Sequence, residues 1–152
     1  MECPANTSSL LETRHLKKYF KVKGGLLHAV DDVNIAIPHN RTLGVVGESG
    51  CGKSTLGRTI IRLLDATDGQ VLFNGEDILK YGRRKMKAMR RKMQIIFQDP
   101  YSSINPRMSV AEIIAEFMIV HNTCSSRTAA FQRAAELMDT VGLARRYANV
   151  YP

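Results

Sequence analysis

The sequence is poor in cysteine. Its three, Cys3, Cys51 and Cys124, are odd in number, match no metal-ligand spacing, and one of them falls inside a glycine-rich loop. That pattern argues against a disulfide framework and for a reducing compartment. Long apolar runs are missing as well. The most apolar late segment, Val110 to Val120, is broken by Glu112 and Glu116, so no membrane span is expected. The N-terminus has no charged region followed by an apolar one, hence no signal peptide. There are no internal repeats and no low-complexity tract. A soluble, cytoplasmic protein is expected, with any membrane link made through a partner.

What is present is ordinary in bulk and unusual in places. The chain has 152 residues, enough for a domain with a real core, and is 44% hydrophobic and 24% charged. Lys and Arg number 22 against 14 Asp and Glu, a formal net charge of +8. Much of the excess sits in Arg83-Arg84-Lys85 to Arg90-Arg91-Lys92, where no aromatics are interleaved. Such a run reads as a solvated helix face rather than a nucleic-acid surface, with an anionic membrane surface as a milder alternative.

The most informative stretch is Gly47-Glu48-Ser49-Gly50-Cys51-Gly52-Lys53-Ser54-Thr55, which fits G-x-x-x-x-G-K-[ST] without a gap. An apolar run, Leu43-Gly44-Val45-Val46, leads in, and a helical pattern from Thr55 to Leu64 leads out. Strand, glycine-rich turn and helix N-terminus are the context of a phosphate-binding loop. Glycines at 47, 50 and 52 permit positive φ and close approach, so that successive N–H groups form a concave anion nest. Lys53 is placed to reach the β- and γ-phosphates, and Ser54 to put its hydroxyl on Mg²⁺. Cys51 faces an electropositive nest and could be a reactive thiol, or simply a small tolerated residue.

Taken in order, residues 1–9 are polar and read as a frayed start. Leu10 to Arg14 can form a strand, and Leu16 to Phe20 carries two aromatics just before a Gly24-Gly25 turn. From Leu27 to Ile37 the pattern alternates, with Val30, Val33, Ile35 and Ile37 on one side. Pro38 to Arg41 is a turn, and Thr42 to Val46 a buried strand feeding the loop. A helix over about 53–64 follows, then a short strand, Gln70 to Phe73, closed by the hairpin signal Asn74-Gly75. A basic helix spans roughly 83–92, and Met93 to Phe97 is another buried strand. Ser109 caps a helix running to about 120, with Glu112 in the capping-box position. A last helix, about 126–141, buries Phe131, Ala134, Leu137, Met138 and Val141 and ends at Gly142.

Nucleotide hydrolysis needs more than a phosphate cradle. It needs an acid at the end of a strand to hold Mg²⁺ and a group that orients water. Asp31-Asp32 precedes the loop on a short run, and Asp139 has helical spacing, so neither fits well. Gln98, at the end of a buried strand, is the better polar candidate for Mg²⁺ or water, or else a loop residue satisfying backbone groups. No N-K-x-D segment for guanine is present. A P-loop small-molecule kinase using 83–92 as its lid, and a non-catalytic nucleotide-binding fragment, remain alternatives.

The stretch Leu43 to Arg58 resembles the ATP-binding subunits of ABC importers of the oligopeptide, dipeptide and nickel group. So does Met93-Gln94-Ile95-Ile96-Phe97-Gln98-Asp99-Pro100-Tyr101 with Asn105-Pro106-Arg107-Met108, a more specific segment similar to that group's Q-loop. The opening Leu16 to Phe20 with Gly24-Gly25 is similar to its adenine-contacting loop. The resemblance covers nearly all of 10–152. It implies an α/β P-loop NTPase (RecA-like) ABC nucleotide-binding domain, N-terminal half, with an antiparallel β subdomain and part of the helical subdomain. The implied layout is a disordered 1–9, a P-loop core plus β subdomain over 10–98, and a partial helical subdomain over 99–152 that docks on a membrane subunit.

The resemblance also implies roles. Tyr19 would stack on adenine, Gly47, Glu48, Ser49, Gly50, Cys51, Gly52, Lys53, Ser54 and Thr55 would hold ATP, and Ser54 with Gln98 would meet Mg²⁺. Lys53 and Gln98 would serve the hydrolysis. The implied partners are a second ATP-binding subunit, membrane-spanning permease subunits and, indirectly, a peptide-binding protein, at the cytoplasmic face of the cell membrane. The sequence departs from the group in stopping at Tyr151-Pro152, before the signature segment, the Walker B aspartate and the switch histidine. It therefore reads as an N-terminal fragment that binds ATP without hydrolysing it alone, with apolar sheet surface left uncovered.

Overall fold

A computed structural model describes residues 9–99 and 101–152. The frayed start expected at 1–9 thus lies, except for Ser9, outside the described residues, as does Pro100. The chain divides into two compact units, one up to Gln94 and one from Ile95.

The first unit is built on an antiparallel sheet in the order β2-β1-β3-β4. Strands β1 (Ser9–Val22) and β2 (Gly25–Pro38) form a long hairpin. Strand β3 (Asp68–Phe73) pairs with the other edge of β1, and β4 (Glu76–Asp77) closes the sheet. The Asn74-Gly75 turn has φ of 50° and 81°, the left-handed pair that a two-residue hairpin needs.

The alternation along β2 changes phase between Val30 and Val33, which are three residues apart, yet both pack on the same core. The extra residue is absorbed by bulges: Asp32 and His15 take φ of 51° and 49°, and His15 Nδ1 lies 2.6 Å from Asp32 Oδ1 across the strands. Gly69 is packed onto this bulge so closely that a Cβ there would stand 2.4 Å from the His15 carbonyl oxygen. Buried Thr13 repairs the ladder nearby, donating to the Val33 carbonyl at 2.9 Å and accepting from the Ile35 N–H at 3.0 Å.

One core serves this unit. Leu11, Leu16, Val30 and Val71 from the sheet meet Leu56 of α1 (Lys53–Ile60), Ile78 and Tyr81. Met86 and Met89 of α2 (Arg83–Met89) close it. The charges of α2 and the following turn are exposed, as expected of a solvated basic face. Both helices are shorter than the 53–64 and 83–92 expected from the sequence. After Ile60 the chain turns at Arg62 (φ 58°), whose guanidinium donates to the carbonyls of Ile78 and Tyr81 at 3.1 and 2.5 Å.

Two expected strands do not form. Residues 42–46 and 93–97 have no regular structure and no ladder partner among the described residues. Met93 packs against the core, but most of the other apolar side chains are open, Val46 97% and Ile96 93% exposed. A buried parallel strand is stabilised by neighbours on both edges and both faces. Apolar content alone does not hold these segments in a ladder.

In the second unit, α3 (Val110–Val120) and α4 (Arg127–Thr140) form a helical hairpin. Small residues let them approach: Ala115, Ala130 and Ala134 are fully buried, with Met118 between them. Ser109 and Glu112 make the capping box, Glu112 Oε2 accepting from the Ser109 N–H at 2.8 Å. That backbone bond holds the Glu112 carboxyl below its usual range. The contribution is therefore present above the unfolded-state value and lost as pH falls. Gly142 (φ 75°) ends α4, and Leu143 N–H returns to the Met138 carbonyl at 2.8 Å. Met138 and Ala134 are buried as expected, but Leu137 and Val141 are 37% and 77% exposed. Asp139 stays on the outer face, paired with Arg145 at 2.5 Å. The last residues are tied back: the Val150 and Ala148 carbonyls accept from the N–H groups of Val110 and Ala111.

Candidate functional site

The glycine-rich loop is anchored from one side by β2. Gly52 caps α1 with φ 98°, and a Cβ at this position would lie 2.2 Å from the Ala29 carbonyl oxygen of β2. Only glycine permits that approach, and it brings the start of α1 against the sheet. Its carbonyl then accepts the Leu56 N–H at 2.8 Å, the first full helical bond. No side chain caps the helix, so its first N–H groups have no side-chain acceptor, an arrangement that suits water or an anion.

Lys53 folds back over the loop. Its Nζ donates to the carbonyls of Gly47 at 2.7 Å and Glu48 at 2.5 Å, and lies 3.5 Å from Cys51 Sγ. Gly50 has φ 82°, but Gly47 does not adopt positive φ. Its requirement is space, since a Cβ there would meet Cys51 Sγ at 2.7 Å. A single ammonium thus gathers the two ends of the loop, at the place where a phosphate chain would need a cation. Ser54 and Thr55 follow in the first turn of α1, Ser54 exposed, while Glu48, Ser49 and Cys51 are exposed in the loop.

Beside the loop is a cleft of about 400 Å³, lined by Cys51, Gly52, Lys53 and Leu56, by Val45 and Val46, and by the β2 residues from His28 to Asp31 with Val33. Its volume falls within the range of small-molecule sites. Tyr19 stands at its margin. The hairpin turn sets Tyr19 opposite His28, and their rings stack with centroids 3.8 Å apart and an interplanar angle of 13°. Asp31 holds both: the Tyr19 hydroxyl donates to Oδ1 at 2.5 Å, and His28 Nδ1 lies 3.5 Å from Oδ2. The hydrogen bond to Asp31 pushes the Tyr19 hydroxyl up to about 12 and lowers the Asp31 carboxyl. The clamp is intact at neutral pH, and its stabilising contribution is lost as pH rises through the tyrosine's folded-state value.

Asp31 and Asp32 are committed to Tyr19, His28 and His15, and no cluster of three His, Cys, Asp or Glu among the described residues could hold a metal ion. A Mg²⁺ here would rest on a hydroxyl such as that of Ser54 and on oxygens of its own ligand, a donor set that suits this ion. Gln98 belongs to the second unit, exposed at a bend after the irregular 93–97 segment. His28 and Asp31 are the site residues that sequence reasoning missed. The signal was available: from the Val22–Gly25 pair at the turn, three residues back along each strand lead to Tyr19 and His28.

The ABC transporter family's sequence model matches residues 30–151. The chain belongs to the ABC transporter family. Among its relatives is the oligopeptide transport ATP-binding protein OppF of Bacillus subtilis (strain 168), 54% identical over 147 residues, 96% of this chain and 48% of the relative. The OppF protein of Escherichia coli (strain K12) is 43% identical over 94% of this chain and 46% of its own length. The dipeptide transport ATP-binding protein DppF of the same organism is 40% identical over 94% and 44%. The chain thus spans about half the length of the curated relatives it matches.

In three dimensions it is similar to the ATP-binding cassette MJ0796 in a dimeric post-hydrolysis state bound to ADP and Pi. The TM-score is 0.80 at 24% identity, covering 93% of this chain and 61% of that one. The cbiO1 protein of Clostridium perfringens gives a TM-score of 0.67 at 22% identity over 95% and 54%. These likenesses carry the fold, that of an ABC ATPase cassette. Membership in the ABC family does not favour the small-molecule kinase alternative. No helix among the described residues is long and apolar enough to cross a membrane.

Proposed function

We propose that this ABC-family chain carries the phosphate-binding part of an ATP-binding subunit that powers peptide import. The observation that carries the reading is Lys53 Nζ drawn onto the Gly47 and Glu48 carbonyls at the head of α1, beside a cleft that continues to the aromatic pair on β1 and β2. In this reading residues 47–55 bind the phosphates of ATP, with Lys53 as the mobile cation. Ser54 meets Mg²⁺, which when bound neutralises phosphate charge. The Tyr19 end of the cleft receives the base.

The names of the relatives support peptides as cargo, and the dimeric cassette similar in fold supports a second ATP-binding subunit as partner. Membrane-spanning permease subunits and a peptide-binding protein complete the assembly, at the cytoplasmic face of the membrane.

Uptake of a radiolabelled tetrapeptide by cells tests this. Disrupting the gene is expected to reduce uptake to background, with recovery on supplying the intact gene. Uptake unchanged by disruption would contradict peptide import and leave only the nucleotide-binding part of the reading.

A further inference from the structure

The β1–β2 hairpin runs on past the rest of its sheet. Pairing of β3 with β1 ends at Lys17 and Asp68, with one further bond from the Tyr19 N–H to Thr67 Oγ1 at 2.8 Å. From Phe20 to Leu27 the chain is, among the described residues, a two-stranded ribbon that turns at Gly24-Gly25. That ribbon is apolar and basic at once. Val22, Leu26 and Leu27 are each at least half exposed. Lys18, Lys21 and Lys23 stand on the same stretch, and no acid occurs between Glu12 and Asp31. Lys18 covers the Phe20 ring at 4.9 Å. Phe20 pairs across the ribbon with Leu27, and Lys21 with Leu26. Neighbouring residues of a strand point to opposite faces, so Leu26 and Leu27 make both faces of the ribbon apolar.

We propose that this tip docks on the surface of an anionic lipid bilayer. Val22, Leu26 and Leu27 enter at the level of the headgroups, and the lysines meet lipid phosphates. The inference goes beyond the nucleotide reading and does not rest on it. Shape and charge select a bilayer as the occupant. A specific protein interface takes about 20–30 residues a side, and a few side chains around one turn fall far short of that. A protein partner would also have to cover both faces of a narrow ribbon. A second copy would bring like charge against these lysines. A bilayer surrounds whatever enters it, and long aliphatic stems let the ammonium groups stay at headgroup level while the leucines go deeper. Each basic residue near an anionic surface tightens binding about fivefold. The basic run on α2 has the charge without the apolar companion, since its Met86 and Met89 are buried in the core.

Sedimentation of the purified protein with phosphatidylcholine vesicles, with and without phosphatidylglycerol, tests this. Binding is expected only with the anionic lipid. Lys21→Gln combined with Lys23→Gln is expected to weaken it about 30-fold, and Leu26→Ser combined with Leu27→Ser about tenfold, with the thermal midpoint unchanged in both. The sequence has no tryptophan, so Leu26→Trp places a lone reporter at the tip. Its emission is expected to shift to the blue on anionic vesicles and to be quenched by brominated acyl chains. Absence of binding to anionic vesicles, or an indole emission that they do not move, would overturn the inference. So would vesicle binding within twofold of wild type in either tip pair. Loss confined to Arg90→Gln combined with Arg91→Gln would overturn it too, by assigning the contact to the basic helix.

Discussion

Lys53→Ala is expected to weaken MgATP binding by about 1.5–3 kcal/mol, roughly 10- to 150-fold, the range for hydrogen bonds to a charged group. The ammonium is engaged by the Gly47 and Glu48 carbonyls. Those neutral acceptors hold it at the head of α1 without neutralising it. A phosphate chain offers formal negative charge at the same place, so the lysine gains on exchanging partners. Alanine removes that gain and leaves the loop carbonyls without their shared donor. Calorimetric titration checks it; binding unchanged within twofold would contradict the role.

Gly52→Ala has the second large effect, and it acts through the backbone. The new Cβ would lie 2.2 Å from the Ala29 carbonyl oxygen, and φ of 98° is strained for any L side chain. Neither neighbour is the flexible end of a side chain, so relief requires the head of α1 to move off β2. Backbone strain alone costs about 1–3 kcal/mol. We expect a lowered denaturation midpoint together with loss of MgATP binding, because the same movement opens the cleft. A Gly52→Ala protein with wild-type midpoint and affinity would show that the loop does not depend on its contact with β2. The corresponding clash at Gly69, on the His15 carbonyl, concerns the sheet and not the cleft.

Local chemistry was the most legible part of this sequence. Asn74-Gly75, the Ser109–Glu112 capping box and the Gly142 stop each involve a few neighbouring residues, and each forms as its residue types require. The fold of the glycine-rich loop was legible for the same reason, since its glycines and lysine interact within nine consecutive residues. The phase break at Val30–Val33 was visible too, but its structural meaning, a bulge held by His15 and Asp32, depends on a strand some seventeen residues away. The segments 42–46 and 93–97 read as strands from apolar content, which records a tendency to be covered and not a partner to pair with. Val141 misled in the same way, apolar at helical spacing yet 77% exposed. Beside the cleft, Tyr19 stood out as an aromatic, whereas His28 and Asp31 come into contact with it only when β1 and β2 pair.

In the proposed function, Lys53 meets the phosphates of ATP. An acyl-phosphate derivative of ATP, which transfers its acyl group to a lysine amine held at the phosphates, tests it directly. After labelling and peptide mapping by mass spectrometry, the account predicts modification concentrated on Lys53 and suppressed by excess MgATP. Label spread over the exposed lysines, or label at Lys53 that MgATP does not suppress, would contradict it.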